Sequence, residues 1–192
     1  PKPRFFQFRT PEFTVQPDID PLPWEVTRGM DHGFGYNRTS TETDHLTRDE
    51  LIGSLVDTAA KGGNVLLNVG PRGEDAQIPH EQLTRLAWIA EWMDVNAHSI
   101  AGTRPWIRAT ATSPEGLELH FTARDEVVWA IVGPRPGDAP HSPLRVTLPL
   151  VPTEHTTVTS ASGAPVSWEA AAGGLTVDLT EVAASAPPGF VA

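Results

Sequence analysis

The sequence predicts an α/β segment followed by an all-β segment, and three observations carry that prediction. Helix, strand and helix signals follow one another between residues 46 and 97. Helical periodicity stops near residue 107. Beyond it, short strands of alternating character are separated by turn-rich stretches. The expected division is therefore 1–107 and 108–192.

The elements follow in order. Residues 46–61 read as a helix: Thr47 is an N-cap with Glu50 as its capping-box partner, and Leu51, Leu55, Thr58 and Ala59 recur at helical spacing. Ile52 and Val56 widen the apolar face, and Gly62-Gly63 stops the helix. Val65-Leu66-Leu67-Asn68-Val69 is a nearly continuous apolar run ended by Gly70-Pro71, the pattern of a parallel strand covered on both faces. A second helix is expected at about 80–97, with Pro79 near its start and Leu83, Leu86, Ala87, Ala90 and Met93 as its inward stripe. In the second half, residues 117–121, 144–148 and 175–179 alternate, and 127–132 reads as a buried strand. Together they predict an antiparallel β-sandwich, with Trp129 and Trp168 as core residues.

Composition narrows the function. The 192 residues carry 14 Lys and Arg against 24 Asp and Glu, a net charge of −10. That balance argues against binding nucleic acid or an anionic membrane surface, which needs clustered cations. No apolar run is long enough to cross a bilayer as a helix. With no cysteine there are no disulfides, thiolate metal sites or cysteine nucleophile. The compartment stays open between cytoplasmic and secreted. The chain opens Pro1-Lys2-Pro3-Arg4, without Met and without a signal-peptide pattern, which suggests trimming or a segment of something longer.

Several motifs fail on inspection. Gly33-Phe34-Gly35 lacks the third glycine of a dinucleotide fingerprint, and Lys61-Gly62-Gly63-Asn64 lacks the ending of a phosphate loop. No two histidines have the i, i+4 spacing of a helical zinc site. Asp18, Asp20 and Asp31 do not have calcium-loop spacing, and no serine sits in a nucleophile elbow. Neither a metal nor a cofactor is expected.

Residues 9–38 carry the chemistry. Glu12 stands between Phe13 and the aromatic run Phe5-Phe6-Gln7-Phe8. Partial desolvation there would raise the carboxyl pKa and suit a general acid, whereas an ordinary glutamate on a Pro-bounded loop would be exposed. Trp24, Glu25, Phe34 and Tyr36 add aromatic and carboxylate groups in a loop-rich segment. Aromatic faces pack on the C–H faces of sugars while carboxylates accept their hydroxyl hydrogen bonds, so this collection suits carbohydrate better than phosphate.

Three runs in one order, Arg9-Thr10-Pro11-Glu12-Phe13-Thr14-Val15, Pro23-Trp24-Glu25-Val26-Thr27-Arg28-Gly29 and Phe34-Gly35-Tyr36-Asn37-Arg38, closely resemble the α-L-fucosidases of glycoside hydrolase family 29. Lys61 through Pro71 resembles a hallmark of that group, and Gly102-Thr103-Arg104-Pro105-Trp106 resembles its join to the following domain. The resemblance is continuous over about 1–107 and weaker beyond.

It implies a (β/α) barrel-like catalytic part, of which residues 1–107 are the C-terminal portion, followed by a β-sandwich. It also implies removal of terminal α-L-fucose with retention of configuration, which takes two carboxyl groups about 5–5.5 Å apart. By the resemblance Glu12 is the general acid/base, and Phe34 lies against the apolar side of fucose near its methyl group. Trp24 and Glu25 match a motif expected to shape the pocket, while Tyr36, Asn37 and Asn68 fit structural roles.

One departure matters: the family's nucleophilic Asp lies upstream of Glu12, in a part with no counterpart among these residues. Asp31, next to His32, is the first substitute, with Asp18 and Asp20 behind it. His32 joins the substrate-binding candidates, as does Arg4, which would replace a family arginine falling just outside Pro1. A complete barrel takes roughly 250 residues. About 107 supply about three strand–helix units and would leave strand edges and an apolar face exposed.

Three readings result. The chain is part of an α-L-fucosidase whose barrel is completed by a homo-oligomer or by a separately supplied half. Or it is a self-sufficient short enzyme with a relocated nucleophile. Or it is a non-catalytic sugar-binding or scaffolding remnant.

Overall fold

The computed structural model describes residues 8–134, 144–185 and 190–192. In its first half, β1 (Glu25–Arg28) and β2 (Asn64–Leu67) pair in parallel with Val26 opposite Val65 and Thr27 opposite Leu66. Residues 8–13 run parallel to the other side of β1 through bridges Arg9–Trp24 and Glu12–Thr27. Helix α1 (Arg48–Ala60) connects β1 to β2, and α2 (His80–Asn96) follows β2. The α1 start is the expected capping box: Glu50 accepts the Thr47 N–H at 2.8 Å, and the Thr47 hydroxyl accepts the Glu50 N–H at 3.3 Å.

The pleat of the parallel sheet gives it two unlike faces. Trp24 and Val26 are buried, and Arg28, of the same parity, donates to the Ser54 hydroxyl of α1 at 3.1 Å. That face is covered. On the other, Glu25 and Thr27 are half-buried, Asn64 is exposed and Leu66 is 50% exposed. The expectation that the apolar run of β2 is covered on both faces is therefore wrong for this chain. One face packs on helix and the other lies open.

The inward stripe expected for α2 holds only in part: Met93 packs against the core of Ile52, Val56 and Trp92 and Leu86 is half-buried, but the other three members are not inward. Leu83, Ala87 and Ala90 are exposed, while Gln82, Arg85, Trp92 and Asn96 are buried. The buried polar groups make specific bonds: Gln82 Oε1 accepts the Gly70 N–H at 2.8 Å, and Arg85 donates to Leu46 O at 2.9 Å and Glu81 O at 3.0 Å. Satisfied polar side chains took the inner positions and turned small apolar ones outward.

The second half has two antiparallel sheets. One is ordered β3-β4-β5, with β3 (Arg104–Thr112), β4 (Glu118–Arg124) and β5 (Val127–Val132). The other is ordered β6-β8-β7, with β6 (Arg145–Leu148), β7 (Trp168–Ala171) and β8 (Gly174–Asp178); a short α3 (Thr180–Ser185) follows. Leu119 and Phe121 of β4 and Val132 of β5 share a core with Val146, Leu148, Leu175 and Val177 of β6 and β8. Trp168 packs against that core; Trp129 is half-buried and its indole N–H has no partner among the described residues. The β3 strand already pairs with β4 at Arg104, so it runs through the change of pattern at 107, which falls inside a strand rather than between elements.

A second core joins the halves. Ile52 and Val56 of α1, Trp92 of α2, Ile131 of β5 and Phe190 pack together, and the Trp92 indole donates to Phe190 O at 2.9 Å. Val191 exchanges backbone bonds with Val132, tying the C-terminal residues into the junction. Polar contacts add to it. The Thr122 hydroxyl donates to Ser99 O, and His120 Nδ1 lies 3.5 Å from the Asp57 carboxylate. Burial pushes the Asp57 carboxyl up, but His120 and Lys61 beside it outweigh burial and hold it below the usual carboxylate range.

Candidate active site

The carboxyl ends of the three parallel segments point the same way, and the candidate residues sit there. The first segment ends at Glu12-Phe13. Glu12 lies in register with Thr27 and Leu66, so all three share the open face. Its side chain is exposed. The expected desolvation of Glu12 is absent because nothing among the described residues covers that face.

β1 runs into a folded loop. Gly29 allows it: a β-carbon there would lie 1.8 Å from the Gly33 carbonyl oxygen. The end of β2 then holds the loop from the side. The Asn68 N–H donates to Arg28 O at 2.8 Å, and its side-chain amide donates to Phe34 O. Gly70 packs flat beneath the loop, where a β-carbon would sit 2.5 Å from the Tyr36 nitrogen. Gly63 serves the covered face in the same way, since a β-carbon would meet the Trp24 indole at 2.4 Å. Behind the loop, Arg85 donates to Glu42 Oε1 at 2.8 Å, and that bond is the main cause holding the exposed Glu42 carboxyl below its usual range.

The result is a defined position for Phe34. Its ring centroid lies 4.8 Å from that of Phe13, tilted by 47°. Phe13 follows Glu12 directly, so this contact ties the segment that carries Glu12 to the loop that carries Phe34, with the two aromatic residues 21 positions apart in sequence. Phe13 was not among the sequence candidates; its position beside Glu12 was the available signal. The structural role expected for Asn68 is realised as the bond to Phe34 O.

Other candidates fall elsewhere. Trp24 is 1% exposed, stacked on Gly63 and donating to Lys61 O at 3.3 Å, so it is a core residue and not a surface for sugar. Glu25 is half-buried on the open face, one row before Thr27, and His32 is exposed on the loop. Both Asp31 oxygens are engaged: one accepts the Gly33 N–H at 3.0 Å and the other the Ser40 hydroxyl at 2.7 Å. Asp31 also lines a cavity of about 290 Å³ that does not include Glu12. That geometry fits a loop-closing residue and gives no support to a nucleophile. Arg4 lies outside the described residues. Glu12 is likewise absent from the lining of a larger groove, about 1010 Å³, between α1 and β3–β4. Among the described residues no cluster of three or more His, Asp or Glu is placed to hold a metal ion.

Comparison with known proteins adds a family. Residues 2–98 match the family model described as alpha-L-fucosidase. An alpha-L-fucosidase of Branchiostoma floridae is 30% identical over 169 residues, which is 86% of this chain and 36% of that protein. A solved alpha-L-fucosidase superposes with a TM-score of 0.81 at 30% identity, over 96% of this chain and 41% of that one. The Thermotoga maritima alpha-fucosidase in complex with fucose also gives 0.81, at 28% identity, over 99% and 42%. The chain thus spans about two-fifths of the length of the solved enzymes it matches.

Proposed function

This chain belongs to the alpha-L-fucosidase family, and on that premise we propose that it supplies the acid/base side of a retaining α-L-fucosidase site. Glu12 is the general acid/base, and Phe34 carries the apolar side of the fucose ring. Glu25, on the same open face as Glu12, helps shape the pocket. The nucleophilic carboxylate comes from outside these residues. The observation that carries this reading is the Phe13–Phe34 contact at 4.8 Å, which joins the Glu12 segment and the Phe34 loop at the carboxyl ends of parallel strands and so supports a shared site there.

In this reading the parallel half is a section of a (β/α) barrel and the two antiparallel sheets form its companion sandwich. Two uncovered surfaces support it. The open face of β1–β2 presents Leu66 at 50% exposure, and α2 turns Leu83, at 48%, outward with Ala87 and Ala90. The first is where a barrel interior would be filled, and the second is where a neighbouring helix would lie. A longer parent chain, a separate polypeptide or further copies of this chain would cover both. The covering part would bring the nucleophile to about 5–5.5 Å from Glu12.

During bond cleavage Glu12 donates its proton to the glycosidic oxygen as the nucleophile attacks carbon 1. The resulting carboxylate then takes a proton from water during hydrolysis of the fucosyl intermediate. Two displacements leave the configuration unchanged. Proton NMR of the first product released from a nitrophenyl α-L-fucoside by the assembled protein is expected to show α-L-fucose, with the β anomer appearing only by mutarotation. Initial release of the β anomer would refute the reading.

A further inference from the structure

We infer that Phe13 determines which leaving groups the site accepts: its ring is the platform for the departing part of the substrate. The substrates served are then fucosides whose leaving group presents a flat apolar face, either an aromatic ring or the C–H face of a pyranose. The inference rests on the fucoside reading above and adds to it a residue and a substrate class.

Four observations carry it. First, Phe13 is one of three non-glycine residues with positive φ in the described chain, at 55°. Bulky side chains rarely adopt that conformation, and such strain collects at functional sites. Second, the strain has a geometric effect. The ladder continues to this residue, since the Phe13 N–H donates to Thr27 O at 3.0 Å. Glu12 stands on the open face, so an extended Phe13 would turn its ring to the covered face. The left-handed turn breaks the alternation and keeps the ring out. Third, the ring is 39% exposed and belongs to neither hydrophobic core. Fourth, it meets the Phe34 ring at a 47° tilt, so the two rings form one apolar corner, and Glu12 is the residue directly before Phe13 in the chain.

The chemistry of the acid/base then distinguishes the two rings. A general acid works within hydrogen-bond reach of the leaving oxygen, so the residue attached to it borders the leaving group. Phe34, across the corner, takes the fucose side. Phe13, on the Glu12 side, takes what departs. A residue that only buttressed Phe34 would affect every fucoside alike.

The test compares binding of methyl α-L-fucoside and 4-nitrophenyl α-L-fucoside by NMR titration, using the assembled protein and three variants. The parent chain is expected to prefer the nitrophenyl compound by roughly 2- to 12-fold, the span of an aromatic pair contact. In Phe13→Ala that preference should fall to about one with the methyl fucoside unchanged, and in Phe13→Tyr it should return. Phe13→Gly, which accepts the left-handed backbone without strain, should match Phe13→Ala and supplies the result if the alanine variant does not fold. Equal weakening of both ligands, or an unchanged preference, overturns the assignment and leaves the fucoside reading standing. No binding of either fucoside to the assembled parent protein refutes the fucoside reading itself, an outcome distinct from the two that overturn only the Phe13 assignment.

Discussion

Glu12→Ala is expected to lower fucoside turnover by the assembled protein by about 10²–10⁴-fold, the usual contribution of a positioned general acid. The loss should depend on the leaving group. A nitrophenolate departs with little help, so its fucoside should lose least, whereas a sugar leaving group, with a far more basic oxygen, should lose most. Azide should partly restore turnover, because it attacks the fucosyl intermediate without needing a base to remove a proton. Glu12 is exposed, so stability should hardly change. An equal loss across leaving groups would count against the acid/base role even if the total loss were large.

The largest effect on stability is expected at Trp92. The side chain is fully buried where α1, α2, β5 and the C-terminal residues meet, and its N–H holds the Phe190 carbonyl. Trp92→Ala should cost about 3–5 kcal/mol. For a chain of this size that is a fall of roughly 6–20 °C in melting temperature. The Phe190 carbonyl also loses its partner, so the C-terminal pairing of Val191 with Val132 should loosen as well. Thermal unfolding together with hydrogen exchange at Val191 and Val132 checks both parts. A shift of a degree or two with unchanged exchange would mean that the halves are not joined through this core.

Local signals were the most legible part of the sequence. Thr47 and Glu50 mark the start of α1 because a capping box is written in adjacent residues. The two alternating strands at 144–148 and 175–179 appear as β6 and β8, paired Val146 to Val177. What failed depended on distant partners. The run at 65–69 reads as covered on both sides by its composition, but whether Leu66 is buried depends on residues that are not its neighbours. The α2 stripe holds at Met93 but not at Leu83, Ala87 and Ala90, because Gln82 and Arg85 are buried by bonds to Gly70, Leu46 and Glu81, which periodicity does not encode. β1 lies in a segment that reads as loop-rich, because Val26 and its partner Val65 are 39 positions apart.

The candidate site divides in the same way. Glu12 and Phe34 were legible through their motifs, and the structure adds the contact between their surroundings. Trp24 was misread as a pocket residue because nothing in its neighbours reveals that Gly63 lies flat against its ring. Asp31 is a candidate by its type and its place next to His32; its two hydrogen bonds, to Gly33 and Ser40, appear only once the loop is folded. Phe13 was passed over since a strained backbone angle leaves no trace in residue type.

The central claim is that Glu12 works only in a site completed from beyond these residues. The direct measurement is nitrophenyl α-L-fucoside turnover alongside molecular mass in solution, over a dilution series of the chain alone and with the remainder of a fucosidase barrel added. Specific activity is expected to rise with the fraction of protein in the assembled or complemented form and to be absent from the monomer. Undiminished turnover by a monomer at the lowest concentration would contradict it.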